Sequence, residues 1–405
     1  MSACGSKVTP IAATTSSGVS SVSATPGASC VDTAGSSIKI GFLNSLSGTM
    51  AISEKTVQQS LSMAADEINA AGGVLGKQLN VVKEDGASDP TTFAEKATKL
   101  IQSDCVAAVF GGWTSSSRKA MLPVFESNKS LLYYPVQYEG LEASKNIFYT
   151  GATTNQQIVP ALDYLKEKGV KSLYLIGSDY VFPQTANKEI KAYAAANGIE
   201  IKGEEYAPLG ATDFSTIISK VNDAKADAVF NTLNGDSNVS FFKEYKNIGL
   251  TSAKMPVVSV SIAEEEIAGV GLENLVGQLT AWNYYQTIDT PANTKFVADF
   301  KAKYGADRVT SDPMEAAYAS LYLWKNTVEK AKSFAVADVQ AAAGGVSFDA
   351  PEGKITINGD NHHIAKTALI GKIAEDGLIH TDWSSPGPIE PDPFLKTYPW
   401  ATGLS

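Results

Sequence analysis

The sequence predicts an α/β fold in which two doubly wound lobes each contain a parallel sheet. From Ile38 onward, short apolar runs alternate with amphipathic stretches, and this β-α-β-α order implies parallel strands with helices on both faces. The alternation restarts at about residue 156, which indicates a second unit of the same kind. The chain has 405 residues, 44% of them apolar, so it is long enough to bury two cores.

The elements of the first unit follow from apolar periodicity and helix-boundary signals. Val57, Leu61 and Ala64 share one helical face, and a Gly-Gly pair then stops that helix. Asp89 followed by Pro90 is typical of an N-cap and a first helical position. The pattern predicts strands at 38–43, 79–84, 106–110 and 131–135, and helices at 53–71, 90–102 and 116–126.

The second unit follows from the same signals. Helices are predicted at 156–168, 184–197, 214–224 and 238–247, and strands at 172–177, 199–206, 227–233, 256–261 and 275–282. Two long helical stretches follow at 292–304 and 313–333. The remainder is short-stranded and rich in proline.

Residues 1–37 are predicted to be a disordered tether outside the fold. Ala, Gly, Ser and Thr make up 25 of these 37 residues, which leaves too few apolar groups to offset the entropy of ordering. Ser2-Ala3-Cys4-Gly5 is typical of the end of a lipobox, so we expect Cys4 to carry a lipid anchor after removal of a signal segment. Cys30 and Cys105 do not by themselves support inference of a disulfide.

Composition excludes several classes of function. The net charge is −10 with no basic block, which disfavours nucleic acid as a partner. The three histidines and three cysteines form no zinc motif, and Gly41–Gly48 lacks the Gly-Lys-Ser/Thr of a phosphate loop. No histidine lies in the loops that follow the strands, so no nucleophile–base pair is indicated. We therefore expect a binding protein that requires no cofactor, and not an enzyme.

Ligands of doubly wound sheets bind beyond the carboxyl ends of the strands. At that edge the sequence combines hydroxyls, aromatics and carboxylates, which suit a small planar amide with one carbonyl oxygen and several N–H donors. Arg118 is expected on the helix surface. The candidate ligand-binding residues are Trp113, Ser115, Tyr134, Tyr138, Glu139, Asp179, Tyr180, Phe182, Asp236, Glu264 and Tyr284.

Several segments carry a family resemblance. The segment 69–77, Asn-Ala-Ala-Gly-Gly-Val-Leu-Gly-Lys, resembles a signature of type I periplasmic solute-binding proteins of the branched-chain amino acid and amide class. Segments 111–120, 134–140 and 176–183 are more specific and resemble the urea and short-chain amide branch, with the urea-binding lipoproteins of urea ABC transporters as the nearest group. The similarity extends from about residue 38 through the proline-rich tail.

The resemblance implies a type I periplasmic-binding-protein fold whose lobes are joined by a three-strand hinge. Crossovers are expected near 151–157, 285–289 and 345–348. Lobe one would then contain 38–156 plus 286–345, and lobe two 157–285 plus 346–405. The implied protein is a periplasmic receptor, lipid-anchored to the cell membrane, that closes on urea and presents it to the permease of an ABC importer.

In the resulting hypothesis, Ser115 or nearby N–H groups bind the urea oxygen, while Asp236 and Glu264 accept from its amino groups. Val136 stands where amino-acid binders usually have a hydroxyl, which disfavours but does not eliminate a branched-chain amino acid. Three further hypotheses are a short-chain amide receptor, an amide-sensing regulator and an amidase-like enzyme. Loops 358–361 and 85–89 have oxygen ligands for Ca²⁺, although turn chemistry is the preferred interpretation of both.

Overall fold

Two sheets organise the described part of the chain, residues 1–2 and 30–404 of a computed structural model. The first sheet, in lobe one, has the strand order β2-β1-β3-β4-β5, with every pairing among its described strands parallel. Its elements are β1 (Ser37–Asn44), α1 (Ala51–Ala70), β2 (Gln78–Asp85), α2 (Pro90–Gln102), β3 (Val109–Gly111), α3 (Ser115–Ser127), β4 (Leu132–Tyr134) and β5 (Ile147–Tyr149).

The second sheet forms lobe two, in the order β14-β13-β10-β9-β8-β6-β7. Pairings among β6 to β10 are parallel, while β13 and β14 join antiparallel at one edge. The elements before the chain returns to lobe one are α4 (Ile158–Glu167), β6 (Ser172–Ser178), α5 (Val181–Asn197), β7 (Glu200–Ala207), α6 (Ser215–Ala224), β8 (Ala228–Thr232), α7 (Ser237–Asn247), β9 (Val257–Ser259), α8 (Glu264–Val270), α9 (Leu272–Leu275) and β10 (Leu279–Trp282).

The rest of the chain contributes helices and strands to both lobes. Helices α10 (Pro291–Tyr304), α11 (Asp312–Ala331) and α12 (Val336–Ala342) pack on lobe one, followed by the hairpin β11 (Ser347–Ala350) and β12 (Gly353–Thr356). Strands β13 (Leu369–Ile373) and β14 (Ile379–Ser384) then complete the second sheet. The predicted α/β class with two parallel-sheet lobes is thereby confirmed.

The structure places the third crossover later than predicted. Ile355, Ile357 and Ile364 are buried in the core of lobe one, whereas Leu369 is buried in the core of lobe two. The crossover therefore lies between 364 and 369 and not near 345–348. The apolar alternation of a hairpin is the same whichever lobe it covers, so the sequence pattern could not locate this boundary.

The sequence pattern missed strand β5 and the three short helices α8, α9 and α12. The first turn of α8 is Glu264-Glu265-Glu266, and the Glu266 carboxylate accepts from the Ala263 N–H at 2.9 Å. A run of three acids suggests a loop, but acidic side chains are favourable at the positive end of a helix. Strand β10 begins at Leu279 and not near 275, because α9 occupies the preceding residues.

A disulfide between Cys30 and Cys105 attaches the last residues of the predicted tether to lobe one. Val31 packs against the core of the same lobe, and β1 begins at Ser37. Residues from Cys30 onward are thus attached to lobe one, eight residues before the predicted boundary. Cys4 and the remainder of the predicted tether from residue 3 to 29 lie outside the described residues. Among those that are described, no helix has both the length and the hydropathy of a membrane span.

Removing this disulfide is expected to destabilise the protein. It closes a loop of 75 residues in sequence, so a variant with both Cys30→Ser and Cys105→Ser should have a free energy of unfolding about 2–4 kcal/mol lower. Equilibrium denaturation in guanidinium chloride measures the difference, and Cys4→Ser is the control. Equal stability of the double variant and the control would contradict the prediction.

Candidate functional site

The lobes meet at the carboxyl ends of their strands, and the cleft between them is closed. Trp113 Nε1 of lobe one donates to Asn234 Oδ1 of lobe two at 3.3 Å. Gln137 Nε2 donates to the Val260 carbonyl at 2.7 Å. The described side chains around these contacts are the candidates for binding a ligand.

A buried polar network on the lobe-one side of the cleft is built around Arg118. Its guanidinium is fully buried and donates to Ser115 Oγ at 2.9 Å, to Glu139 at 3.0 Å and to Glu142 at 2.8 Å. It also lies over the rings of Tyr134 and Tyr138, 5.1 and 4.4 Å from their centroids. The expectation that Arg118 lies on the helix surface was wrong, because the two carboxylates supply the partners that a buried cation needs.

The turn from β3 into α3 sets this geometry. Gly111 has φ +130°, and a Cβ there would lie 2.2 Å from the Leu43 carbonyl oxygen, so the turn requires glycine. Thr114 caps α3 by accepting from the Ser117 N–H at 3.1 Å. Arg118 and Ser115, three positions apart, then lie on the same side of α3, which brings the guanidinium to the Ser115 hydroxyl.

Hydrogen bonding leaves few free donors on this side of the cleft. Ser115 donates its hydroxyl proton to Glu139. Tyr134 donates to the Trp113 carbonyl, and Tyr138 to the Glu142 carbonyl at 2.8 Å. The Arg118 charge overcomes desolvation of Glu142 and lowers its pKa to about 2. The guanidinium and hydroxyl donors of this cluster are therefore already used within lobe one. The Asn44 amide at the end of β1 is buried and has no partner among the described residues.

Helix α5 of lobe two contributes a carboxylate that the loop-based prediction missed. Glu189 is 2% exposed, and neither of its oxygens has a hydrogen-bond partner in the part of the chain that the structure describes. Burial, reinforced by the Glu139 charge, raises the pKa of Glu189, and the nearby Thr154 hydroxyl opposes that shift only in part. Phe182, Ala186 and Glu189 repeat at helical spacing, a signal that could have identified the buried face.

The start of α8 presents further acceptors. Glu264 accepts from the Gln286 N–H at 2.7 Å through one oxygen, and its other oxygen has no partner among described residues. Burial raises the pKa of Glu264 to about 8 and raises that of Glu265 as well. Glu266 accepts from the Ser53 hydroxyl of lobe one, so α8 also helps to close the cleft.

Four predicted site residues lie elsewhere. The side chains of Asp179 and Asp236 are exposed, and Asp179 accepts from Gln184 Nε2 at 2.7 Å. Phe182 packs in the core of lobe two, and Tyr284 packs in the core of lobe one. In contrast, burial raises the pKa of Tyr180, and the charges of Glu139 and Arg118 also act on its hydroxyl, so Tyr180 lies on the lobe-two side of the same cluster.

The oxygen-rich loops make turns. Asn358 Oδ1 accepts from the Asp360 N–H at 2.9 Å, and Asn361 Oδ1 accepts from the His363 N–H at 3.0 Å. Asp85 Oδ1 accepts from the Ala87 N–H of its own loop and from the Leu46 N–H of the loop after β1, both at 2.8 Å. These bonds are those of turn chemistry. Within the described residues, no group of three or more His, Cys, Asp or Glu side chains is arranged to hold a metal ion.

Buried carboxylates predict a stability that falls as the pH rises. Burial raises the pKa of Glu54 and of Glu264 to about 8 from 4.5, so the folded chain holds protons that the unfolded chain has released. Burial lowers the pKa values of His362 and His363 from 6.5 to about 4 and about 3, which opposes this trend only below pH 6.5.

The guanidinium chloride midpoint is therefore expected to be higher at pH 6.5 than at pH 8. Glu54→Gln should reduce this pH dependence, because it removes one of the titrating groups. A midpoint that increases over the same interval would contradict the assignment of buried, protonated glutamates.

Comparison with protein families gives a match over nearly the whole folded part. The family model described as periplasmic binding protein domain matches residues 38–399. Leu/Ile/Val-binding protein homolog 6 of Brucella melitensis is 25% identical over 370 residues, which cover 89% of this chain and 94% of that protein. Homolog 8 of the same organism is 24% identical over 377 residues, with coverages of 85% and 90%.

Solved structures share the fold. A solute-binding protein of an ABC transporter from R. palustris, in complex with 4-hydroxybenzoate, superposes with a TM-score of 0.79 at 24% identity, covering 86% of this chain and 97% of that chain. The branched-chain amino acid transporter substrate binding protein LivJ from Streptococcus pneumoniae, in complex with isoleucine, gives a TM-score of 0.76 at 23% identity, covering 88% and 100%.

Proposed function

Because the chain belongs to the periplasmic binding protein domain family, we propose that it is a periplasmic solute receptor that binds urea or a short-chain amide between its lobes. Lobe closure would present the ligand to the permease of an ABC importer. The proposal includes attachment to the membrane through a lipid on Cys4, and it assigns no enzymatic activity.

The unpartnered Glu189 carboxylate carries the proposal. Glu189 belongs to lobe two, and the charge of Glu139 on lobe one acts on it, so the two lobes each contribute a carboxyl group to this buried region. Burial and the Glu139 charge disfavour the ionised form of Glu189, so closure of the empty cleft requires Glu189 to take up a proton, which costs free energy. A compact ligand with N–H groups on both sides can donate to both carboxylates and remove that penalty, and urea has this shape.

The same lining opposes anionic ligands. The Arg118 guanidinium is already bound to Glu139 and Glu142, and the Ser115 hydroxyl proton is donated to Glu139. A carboxylate placed in the cleft would therefore face acceptors without a free cationic donor. Benzoate, whose hydroxylated analogue occupies the related R. palustris protein, is expected not to bind.

A branched-chain amino acid is the second candidate. The free oxygen of Glu264 would accept from an ammonium group, and relatives carry the name Leu/Ile/Val-binding protein homolog. The α-carboxylate, however, would find the Arg118 guanidinium already paired with Glu139 and Glu142. The expected order of affinity is therefore urea, then acetamide, then leucine.

Isothermal titration calorimetry with urea, acetamide, leucine and benzoate tests the proposal. Acetamide lacks one amino group and leaves a buried carboxylate unpaired, so we expect it to bind about 10-fold more weakly than urea. Equal affinities for urea and acetamide would overturn the bridging role of the two carboxylates, and binding of leucine alone would favour the second candidate. Release of ammonia from urea would contradict a receptor without catalysis.

A further inference from the structure

We propose that the C-terminal segment 389–401, hereafter the strap, is a positioning element that clasps the two lobes when the cleft is closed. The strap follows β14 and contacts the hinge, the loop that carries Glu139, and helix α5. It acts on the backbones that carry the cleft side chains and not on those side chains themselves. The inference rests on the proposed function in one respect, namely that the protein works by lobe closure.

The strap begins at the hinge. Ile389 and Lys366 exchange backbone hydrogen bonds at 2.8 and 3.2 Å. Asn155 holds the strap with both ends of its amide, since Nδ2 donates to the Glu390 carbonyl at 2.8 Å and Oδ1 accepts from the Asp392 N–H at 3.0 Å. Because two of the crossovers contribute these contacts, this end of the strap is fixed where relative motion of the lobes is smallest.

The strap next contacts the backbone that carries Glu139. The Leu141 N–H donates to the Pro393 carbonyl at 2.6 Å. Gly140 has φ +69°, and a Cβ at this position would lie 2.4 Å from the Pro393 oxygen. Only glycine therefore permits this approach, which places the strap against the residue that directly follows Glu139.

The strap ends on helix α5 of lobe two. The Trp400 ring packs edge-on against Tyr193, with centroids 5.6 Å apart, and Tyr398 lies 5.4 Å from Trp400. Tyr193 lies one helical turn after Glu189 on α5, so the strap contacts the helix that carries Glu189. The strap thereby joins the backbone segments that carry Glu139 and Glu189.

These attachments belong to the closed form. Opening the cleft moves α5 away from the Glu139 loop, so one end of the strap must detach. Among the described residues, one backbone hydrogen bond holds the lobe-one end, whereas the lobe-two end has an aromatic anchor. We therefore expect the Leu141–Pro393 contact to break. The strap should accordingly favour closure and slow ligand release, by the same factor for every ligand.

Distances between the lobes test the strap directly, with or without a ligand. Spin labels are placed through Glu95→Cys on α2 and Asp223→Cys on α6, in full-length protein carrying Cys4→Ser. Double electron–electron resonance then measures the open and closed populations. Trp400→Ala and Gly140→Ala should each increase the open population, and the double variant should open no further than the stronger single variant.

Urea dissociation provides the second readout. We expect Trp400→Ala to raise the dissociation rate about 3- to 10-fold for urea and acetamide alike. Trp400→Phe keeps an aromatic ring and should dissociate at nearly the wild-type rate. Gly198→Ala is the matched control, because Gly198 also has φ +69° but has no atom within 4 Å of the added Cβ. Gly198→Ala should leave the distance distribution unchanged.

Three outcomes separate the strap from the ligand assignment. Unchanged distances in Trp400→Ala, or additive effects in the double variant, would overturn the strap as a clasp. A single closed distance in the wild type under all conditions would overturn both the strap and lobe closure. A shift of populations in the variants without any binding of urea would support the strap and overturn the ligand assignment alone.

Discussion

Replacing Arg118 with methionine is expected to lower the free energy of unfolding by about 3–5 kcal/mol and to abolish binding of urea. The substitution leaves the Glu139 and Glu142 carboxylates buried without their main partner. It also removes the group that holds the Ser115 hydroxyl in place. Denaturation must use guanidinium chloride, because urea is the proposed ligand.

Lys119→Met is the matched control for Arg118→Met. The Lys119 ammonium reaches the same Glu142 carboxylate at 3.0 Å, but its side chain is 40% exposed. A partly solvated ion pair contributes only about 0–1 kcal/mol, so the control should unfold nearly as the wild type does. Similar losses of unfolding free energy in the two variants would contradict the view that Arg118 stabilises the fold because its ion pairs are buried.

The loss of unfolding free energy in Arg118→Met should also become smaller at acidic pH. Arg118 holds the pKa of Glu142 at about 2, below the ordinary 4.5, so this pair stabilises the fold above pH 4.5 and loses its effect as the pH falls toward 2. The difference between wild type and variant is therefore expected to shrink over that interval. A difference independent of pH would indicate lost packing and not a lost charge pair.

Replacing Glu189 with methionine is expected to weaken urea binding about 10- to 100-fold while raising the free energy of unfolding by about 1–3 kcal/mol. The affinity falls because the acceptor that bound urea would use is lost. The stability rises because the buried oxygens of Glu189 have no partner among the described residues. Calorimetry and guanidinium chloride denaturation measure the two effects separately.

Glu315→Met is the control for Glu189→Met. It shows whether removing any buried acid, and not only a ligand acceptor, weakens urea binding. Glu315 is fully buried in α11 and also has one oxygen without a partner among described residues, but it neighbours Glu352 and Lys366 in place of Glu139. Its replacement should leave the affinity for urea unchanged. Loss of affinity in both variants, or in neither, would contradict the specific role of Glu189.

Local sequence signals predicted the regular elements because they depend on neighbours along the chain. The Asp89-Pro90 pair begins α2 as expected, and Asp89 accepts from the Thr92 N–H at 2.7 Å. Alternation of strands and helices predicted the parallel sheets, and the carboxyl edge of those sheets directed attention to Trp113, Ser115, Glu139 and Glu264, which the structure buries around the closed cleft.

The loops alone do not reveal which side chains face the cleft. Asp179 and Asp236 follow strands just as Glu139 does, yet both are exposed. Glu189 lies inside a predicted helix, and its burial depends on how α5 packs beside lobe one. Charge at a loop position is a local property, whereas burial and pairing depend on elements distant in sequence.

Periodicity and composition are properties of the linear chain, so they were enough to establish the alternating elements, the doubly wound class and the acidic character of the loops around the cleft. The burial of Arg118, the pairing of Cys30 with Cys105 and the assignment of residues 355–364 to lobe one emerged only from the folded structure. The same holds for the contacts of segment 389–401 with both lobes. Each of these features requires contact between residues far apart in sequence, and only the folded chain selects such contacts.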